Sequence, residues 1–163
     1  MNDFNIRIYT EDKELPELLE GNFFHSKELF LIEEQTPKDT PYMAVATRDG
    51  KVRGQLLVIV RRRGSLFPPY LYTHAHAHGE GCYADEKETE TIFPLLLKAI
   101  TLQLRHRLCF YIEFSDMKKK MFGYRYFRRL GYFPIAWQEI HHSLHSKAPG
   151  SRLSAKMANI VER

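Results

Sequence analysis

The stretch that most constrains the fold is residues 69–132, where strand-like and helix-like patterns alternate. Residues 70–77 predict a strand, and a turn with two glycines follows at 78–82. The apolar spacing at 88–107 predicts a long helix, and the mostly apolar run at 108–114 predicts a second strand. A strand–helix–strand unit of this length is the usual connection between two parallel strands. The turn would aim backbone N–H groups outward, which favours a bound phosphate.

The residues before this unit predict a strand, two helices and a hairpin. In chain order the predicted elements are a strand at 6–10, a helix at 11–20, a helix between Ser26 and Pro37, strands at 41–47 and 52–60, and a loop at 61–69. Ser26 can cap the second helix by accepting from an N–H of its first turn. Asp49 and Gly50 lie between the two strands, and the favoured hairpin turn needs φ > 0 at both central residues.

The residues after the unit predict a short helix and a final strand. Asp116 is the predicted N-cap of a helix that extends to Leu130. Gly131 would end this helix in the left-handed conformation. The last predicted strand covers residues 132–144.

The order of elements, β-α-α-β-β-β-α-β-α-β, predicts a mixed sheet in which an antiparallel meander is continued by two crossover units. The expected architecture is a three-layer α/β domain. The 163 residues are enough for one domain with a substantial core. We assign this domain to residues 1–146, and a polar linker with a C-terminal tail to residues 147–163.

Composition excludes several classes of protein. Hydrophobic residues make up 44% of the chain and charged residues 27%, as in globular domains. No run of about 18 apolar residues occurs, and the N-terminus lacks a signal pattern, so we expect no membrane insertion and a cytoplasmic location. Cys82 and Cys109 fit no metal or redox spacing and are expected to be buried or half-buried thiols.

The basic residues are clustered. The formal net charge is +4, and the clusters are at residues 61–63, 105–107, 118–120 and 125–129. Such clusters can attract phosphates or nucleic acid, but acidic segments elsewhere favour a solvated basic face. Because no nucleic-acid recognition motif occurs, nucleic acid is not expected as the primary partner.

Three histidines supply the main candidates for chemistry. His74, His76 and His78 alternate along one predicted strand, so their side chains share a face. Same-face neighbours on a straight strand are about 7 Å apart, so three can reach one zinc ion only if the strand bends. A polar, ligand-facing or half-buried row of histidines is therefore preferred to a zinc site, and no metal is expected. His76 is the candidate general base for an amine nucleophile, since an unperturbed histidine has a pKa of about 6.5. Glu113, in the next predicted strand, is a second candidate base, with a salt-bridged glutamate as the alternative.

The chain as a whole resembles a known superfamily. The order of elements over residues 4–144 is similar to that of the GNAT N-acyltransferases, and residues 126–132 (YFRRLGY) resemble their aromatic–Tyr–x–x–Leu–Gly–aromatic motif. Residues 22–26 before a helix, followed by 41–54, resemble the FemAB-type branch. Known members of that branch carry two GNAT-like halves and transfer aminoacyl groups to peptidoglycan precursors. This chain would match the N-terminal half, and residues 152–156 resemble the entry to the second.

The resemblance implies a function. It implies transfer of an acyl or aminoacyl group to an amine of a small molecule or peptide. Acetyl-CoA or another acyl-CoA is the implied cofactor, an aminoacyl-tRNA is the alternative donor, and a second GNAT-like domain is the implied partner. By their place in the turn, the implied cofactor-binding residues are Gly79, Gly81, Cys82 and Tyr83.

The sequence also departs from the GNAT pattern. The turn lacks the usual Arg or Gln, and Glu80 and Asp85 place negative charge where a phosphate would lie. Phe127 stands where the superfamily has a tyrosine that protonates the leaving thiolate, which makes Tyr124 the candidate acid nearby, although each helical step turns about 100°. Three functions therefore stay open: part of a FemAB-type acyltransferase, a non-catalytic half that binds substrate or a partner domain, and an independent acetyltransferase.

Overall fold

A computed structural model describes residues 4–64, 66–67, 71–105, 109–115 and 124–135. The chain divides into two compact units, Met1–Tyr132 and Phe133–Arg163. Residues 132–135, at the start of the predicted final strand, carry no regular structure. The remainder of that strand and the predicted domain boundary after residue 146 lie outside the described residues, so the boundary stays a prediction.

The first unit contains a sheet of six strands. The strands are β1 (Asn5–Tyr9), β2 (Asp39–Arg48), β3 (Lys51–Gly64), β4 (Leu71–His78), β5 (Cys82–Tyr83) and β6 (Cys109–Ser115). Their order across the sheet is β1-β2-β3-β4-β6, and β5 pairs with β3. Neighbours are antiparallel except β4 and β6, which run parallel. The predicted mixed α/β sheet is therefore confirmed.

Three α-helices accompany the sheet within the described residues: α1 (Lys27–Gln35), α2 (Thr89–Arg105) and α3 (Tyr124–Arg129). The predicted cap of α1 is confirmed, because Ser26 Oγ accepts from the N–H of Leu29 at 3.2 Å. Gly131 follows α3 with φ +91°, also as predicted. None of the described helices is long and apolar enough to cross a membrane.

The hairpin between β2 and β3 forms where Asp-Gly predicts it. Asp49 has φ +53° and Gly50 φ +74°. Arg48 and Lys51 are paired across the turn. The predicted loop at 61–69 is wrong in its first part, because β3 continues to Gly64 and pairs there with β4. Residues 61–63 are three consecutive arginines, so this part of β3 lacks the apolar–polar alternation that predicts a strand.

The predicted helix at residues 11–20 is also wrong. Only Asp12–Glu14 form a single 3₁₀ turn. Pro16 lacks an N–H and disfavours the helical conformation of the residue before it, so Leu15 is extended with ψ +132°. The backbone of Leu19 instead bonds to the side chain of Gln55 on β3.

Alternating residues of the strands build a separate core on each face of the sheet. On one face, α2 packs against side chains that include Ala44, Leu56, Ala75 and Ala77. On the other face, Leu29 and Phe30 of α1 pack against four side chains of β2 and β3: Met43, Val45, Leu57 and Ile59. The second face therefore has an apolar cover over β2 and β3.

Candidate functional site

The three histidines lie on the same face of the sheet as α1. His76 is paired with Ile59 across the antiparallel strands β3 and β4. Directly opposite residues share a face, and Ile59 belongs to the core under α1. The two-residue period of a strand brings His74 and His78 to that face as well, as the sequence predicts.

Strand β6 adds three polar side chains to this surface. Its register places Tyr111, Glu113 and Ser115 beside the three histidines in turn. The alternate residues Ile112 and Phe114 face the core under α2 instead. We call the surface the histidine face and define it by its members: His74, His76, His78, Tyr111, Glu113 and Ser115. It lies toward the carboxyl ends of two parallel strands, where open α/β sheets bind ligands.

The hydroxyl of Ser115 joins two of the imidazoles. Ser115 Oγ lies 2.9 Å from His76 Nε2 and 3.2 Å from His78 Nδ1. The rings of His76 and His78 also meet edge to face, with centroids 4.2 Å apart. The histidine face therefore contains a connected polar cluster at its carboxyl end.

Glu113 lies close to a different histidine. Its Oε2 is 3.2 Å from His74 Nε2, and the Glu113 side chain is 33% exposed. The distance is that of an ion pair, but Nε2 has no aligned hydrogen-bond partner among the described residues. Tyr111 packs its ring against His74, with centroids 4.9 Å apart. The structure thus brings Glu113 and His76 to one face but pairs the carboxylate with His74.

The protonation state of His76 is the one that a general base needs. Partial burial lowers the pKa of His76 below its ordinary value of 6.5, and the neighbouring charge of His78 lowers it further. Glu113 acts in the opposite direction but does not outweigh burial. At neutral pH the imidazole is therefore uncharged and can accept a proton.

A short 3₁₀ helix, Phe23–His25, forms a wall beside His78. The ring of Phe24 lies 4.6 Å from that of His78, centroid to centroid. His25 is fully buried, and its Nδ1 accepts from the N–H of Leu57 on β3 at 3.1 Å. Its backbone carbonyl accepts from Gln55 Nε2 at 2.8 Å. These contacts anchor the wall to β3.

The buried His25 should make stability depend on pH. Burial lowers its pKa from 6.5 to about 4, although the backbone of His78 opposes the effect. The unfolded chain therefore binds a proton that the folded chain does not between these values, so stability is lost as pH falls. From about pH 7.5 to about pH 5 we expect a loss of about 2 kcal/mol from this group. Urea unfolding at both pH values should show it, and His25→Gln should remove most of the difference; an unchanged difference would contradict this assignment.

The glycine turn packs onto β3. The N–H of Gly79 donates to the carbonyl of Ser115 at 2.7 Å. Gly81 has φ +106°, and a Cβ there would lie 2.5 Å from the backbone oxygen of Gln55. Cys82 and Tyr83 form β5, an element that the sequence did not predict. Of the four implied cofactor-binding residues, Gly79 thus has its N–H bonded within the fold and the other three pack against β3.

The interior of the turn is also crowded by Tyr83. Its hydroxyl donates to the carbonyl of Glu80 at 2.5 Å. A Cβ on Gly54 of β3 would lie 2.7 Å from the Tyr83 ring. Burial raises the pKa of Tyr83, and the charge of Glu80 adds to the effect. This phenol therefore stays neutral and serves to pack the turn.

The 3₁₀ turn that leads into α2, Glu86–Glu88, is acidic and is capped by Asp85. Asp85 Oδ1 accepts from the N–H of Lys87 at 2.9 Å, and three glutamates lie within the next turn: Glu86, Glu88 and Glu90. Arg48 and Arg53 both pair with Glu88. The GNAT resemblance implies that a cofactor pyrophosphate would bind at this turn. Carboxylates there would repel a phosphate, so the residues present do not fit acyl-CoA at that place.

Phe127 is part of an aromatic cluster away from the histidine face. Its ring centroid lies 5.6 Å from Phe93 of α2, 5.3 Å from Phe114 and 5.3 Å from Tyr132. The Tyr132 hydroxyl also lies 2.9 Å from Thr101 Oγ1, which ties the segment that follows α3 to α2. Tyr124 begins α3, and the position of its side chain lies outside the description. Its role as an acid stays a prediction.

Two residues of the site were missed by sequence reasoning. Ser115 ends β6, one residue beyond the predicted strand, and no local pattern marks a serine there. His25 follows two phenylalanines in an irregular segment. Both were detectable only through long-range contacts with β3 and β4. The two cysteines are half-buried free thiols, as expected. Among the described residues, no three His, Cys, Asp or Glu side chains are grouped to hold a metal.

Comparison with solved structures places this architecture in a known class. An aminoglycoside acetyltransferase from an uncultured soil metagenomic sample, in complex with trehalose, aligns with a TM-score of 0.52 and 12% identity, covering 90% of this chain and 97% of that chain. An acetyltransferase of Trypanosoma brucei aligns with a TM-score of 0.52 and 10% identity, covering 86% and 100%. A mutant protein from Bacillus halodurans aligns with a TM-score of 0.52 and 15% identity, covering 72% and 73%.

The fold is that of the GNAT acetyltransferases. No family model matches the sequence, and no curated protein matches it. At such low identity the likeness concerns the fold, so the FemAB-type branch and the substrates remain predictions.

Proposed function

We propose that the domain is an N-acyltransferase that joins an acyl or aminoacyl group to an amine, with the histidine face as its reaction site. The observation that carries this proposal is the position of His76 at the carboxyl ends of two parallel strands, where its Nε2 lies 2.9 Å from Ser115 Oγ. Burial lowers the pKa of His76, so the imidazole is uncharged at neutral pH. Acyl transfer to an amine needs such a base, because the nucleophile loses a proton during the reaction. The GNAT fold supports this class of chemistry.

The acyl donor follows less directly from the fold. The acidic turn before α2 does not fit a pyrophosphate, which argues against acyl-CoA bound there. This misfit favours the aminoacyl donor implied by the FemAB-type resemblance. We therefore propose an activated ester of an amino acid, such as an aminoacyl-tRNA, as the donor to test beside acetyl-CoA.

The acceptor is proposed to lie over the histidine face beside Phe24. Phe24 is 47% exposed and Tyr111 is 43% exposed, so aromatic surface is accessible at both ends of the histidine face. A carboxylate and imidazoles between two aromatic rings suit an amine with an apolar portion. This description covers small-molecule amines and short peptides.

The test is amide formation by the purified chain. Each donor, acetyl-CoA or aminoacyl-tRNA, is incubated with a panel of amines and short peptides, and the products are identified by mass spectrometry. A new amide with either donor is the expected result. Absence of product with every pair would contradict catalysis by this chain and would leave the non-catalytic half as the explanation.

His76→Gln should lower the transfer rate by about 10²-fold, as for loss of a general base. The wild-type rate should fall as pH drops through a value below 6.5, because protonated His76 cannot accept a proton. This acidic limb should disappear in the variant. Lys51→Gln, an exposed substitution at the β2–β3 hairpin, is the matched control and should keep the wild-type rate. An unchanged rate in His76→Gln would exclude His76 as the base.

A further inference from the structure

Ser115 contacts two imidazole rings, whereas three other described hydroxyl groups bond to the backbone. Ser26 accepts from a backbone N–H, and Thr36 and Thr101 donate to backbone carbonyls. Ser115 Oγ instead lies within hydrogen-bond distance of His76 and of His78. A hydroxyl has one proton, so it donates to one ring while it can accept from the other. A hydroxyl beside an uncharged imidazole is the usual arrangement of an activated nucleophile.

The structure holds this hydroxyl in place from two directions. The carbonyl of Ser115 accepts from the N–H of Gly79 at 2.7 Å, which fixes the end of β6 against the end of β4. His78 is held in turn by the ring of Phe24, at a centroid distance of 4.6 Å. The nucleophile, its base and a second imidazole are thus positioned by backbone pairing and by ring contact.

We propose that Ser115 is a catalytic nucleophile that carries the acyl group as an ester, with His76 as its base. The inference deepens the proposed function, on which it rests, by dividing the transfer into two steps. The substrate class for the first step is an activated ester or thioester. For the second step it is a primary amine.

The two steps balance without any further reactant. Ser115 Oγ forms a bond to the acyl carbon, its proton passes to His76 Nε2, and the bond from the acyl carbon to the leaving oxygen or sulfur breaks. The leaving group takes the proton from His76. The amine then bonds to the acyl carbon and the carbon–Oγ bond breaks. One amine proton returns to Ser115 through His76, so the products are an amide and the free alcohol or thiol.

The first step can be tested with p-nitrophenyl acetate, without an amine. The full chain should release p-nitrophenolate in a stoichiometric burst, and peptide mapping should find one acetyl group on Ser115. His76→Gln should slow the burst by about 10²-fold. Ser115→Ala should abolish it. Ser26→Gly, which removes another hydrogen-bonded serine hydroxyl at little cost to its helix, should retain it.

The second step is tested by adding the amine panel to the acetylated chain. Loss of the acetyl group from Ser115 with formation of amide is the expected result, and initial rates should follow ping-pong kinetics. Acetylation of other residues only, or wild-type amide formation by Ser115→Ala, would overturn the inference while the proposed function stands. Acetyl-Ser115 without amide would support the nucleophile and contradict the proposed function. If Ser115→Ala does not fold, the peptide map of the wild-type adduct decides the matter.

Discussion

Gly81→Ala is expected to destabilise the folded chain by about 4 kcal/mol, more than an ordinary surface substitution. Two costs combine at this position. The backbone has φ +106°, a conformation that L side chains rarely adopt, and the added Cβ would lie 2.5 Å from the backbone oxygen of Gln55. Because the obstacle is backbone in the centre of the sheet, it cannot rotate away as a side chain would.

The measurement is urea unfolding monitored by circular dichroism. Gly50→Ala is the matched control: it has φ +74°, but nothing lies within 4 Å of the added Cβ. It should show the conformational cost alone, about 1 kcal/mol. If the free energies of unfolding of Gly81→Ala and Gly50→Ala differ by less than this cost, the turn can relax around the added Cβ. Its close packing on β3 would then contribute little to stability.

Gln55→Leu is expected to cost about 4 kcal/mol although it adds apolar volume to a buried site. Gln55 is fully buried, and its side-chain amide makes three hydrogen bonds. It accepts from Leu19 N at 2.8 Å and donates to Leu19 O at 3.0 Å and to His25 O at 2.8 Å. Leucine would leave these backbone groups unsatisfied, and each such group costs about 1–3 kcal/mol.

The same unfolding experiment tests this effect. Gln35→Leu, at the exposed end of α1, is the control and should stay within about 0.5 kcal/mol of wild type. Hydrogen exchange should locate the change, because the N–H groups of Leu19 and Leu57 should lose protection in Gln55→Leu. A variant as stable as wild type would mean that water replaces the three bonds.

These two positions also connect the fold to the site. Gln55 holds the backbone of His25, and His25 in turn holds the N–H of Leu57. The wall that contacts His78 is therefore fixed by a buried polar network. Milder changes in this network should disturb the histidine face before the sheet itself unfolds.

Local patterns were sufficient for much of the fold. The alternation in the strands, the Asp49-Gly50 turn, the Ser26 cap and the Gly131 helix end each depend on contacts within a few residues, and each is confirmed. The helix predicted at 11–20 was wrong because apolar spacing was weighed above Pro16. The extension of β3 to Gly64 was missed because its strand partner, β4, supplies the stabilising bonds.

The candidate site was only partly accessible to sequence reasoning. A strand period of two predicts that His74, His76 and His78 share a face, and the structure places them together. Ser115 joins them through a parallel pairing that spans the whole of α2, a contact with no local signal. Glu113 was predicted as a base, but its carboxylate pairs with His74, two residues before its register partner His76.

The sequence by itself determined five of the six strands, the helices α1 and α2, the mixed α/β class and the shared face of the histidines, because each follows from short-range periodicity or turn chemistry. Only the tertiary structure decided that the glycine turn packs onto β3, that Phe127 joins an aromatic cluster, and that Ser115 meets two imidazoles. Those outcomes depend on strand register and crossover packing, which bring together residues far apart in the chain. The conformational preferences of short segments carry no information about contacts between residues so far apart in the chain.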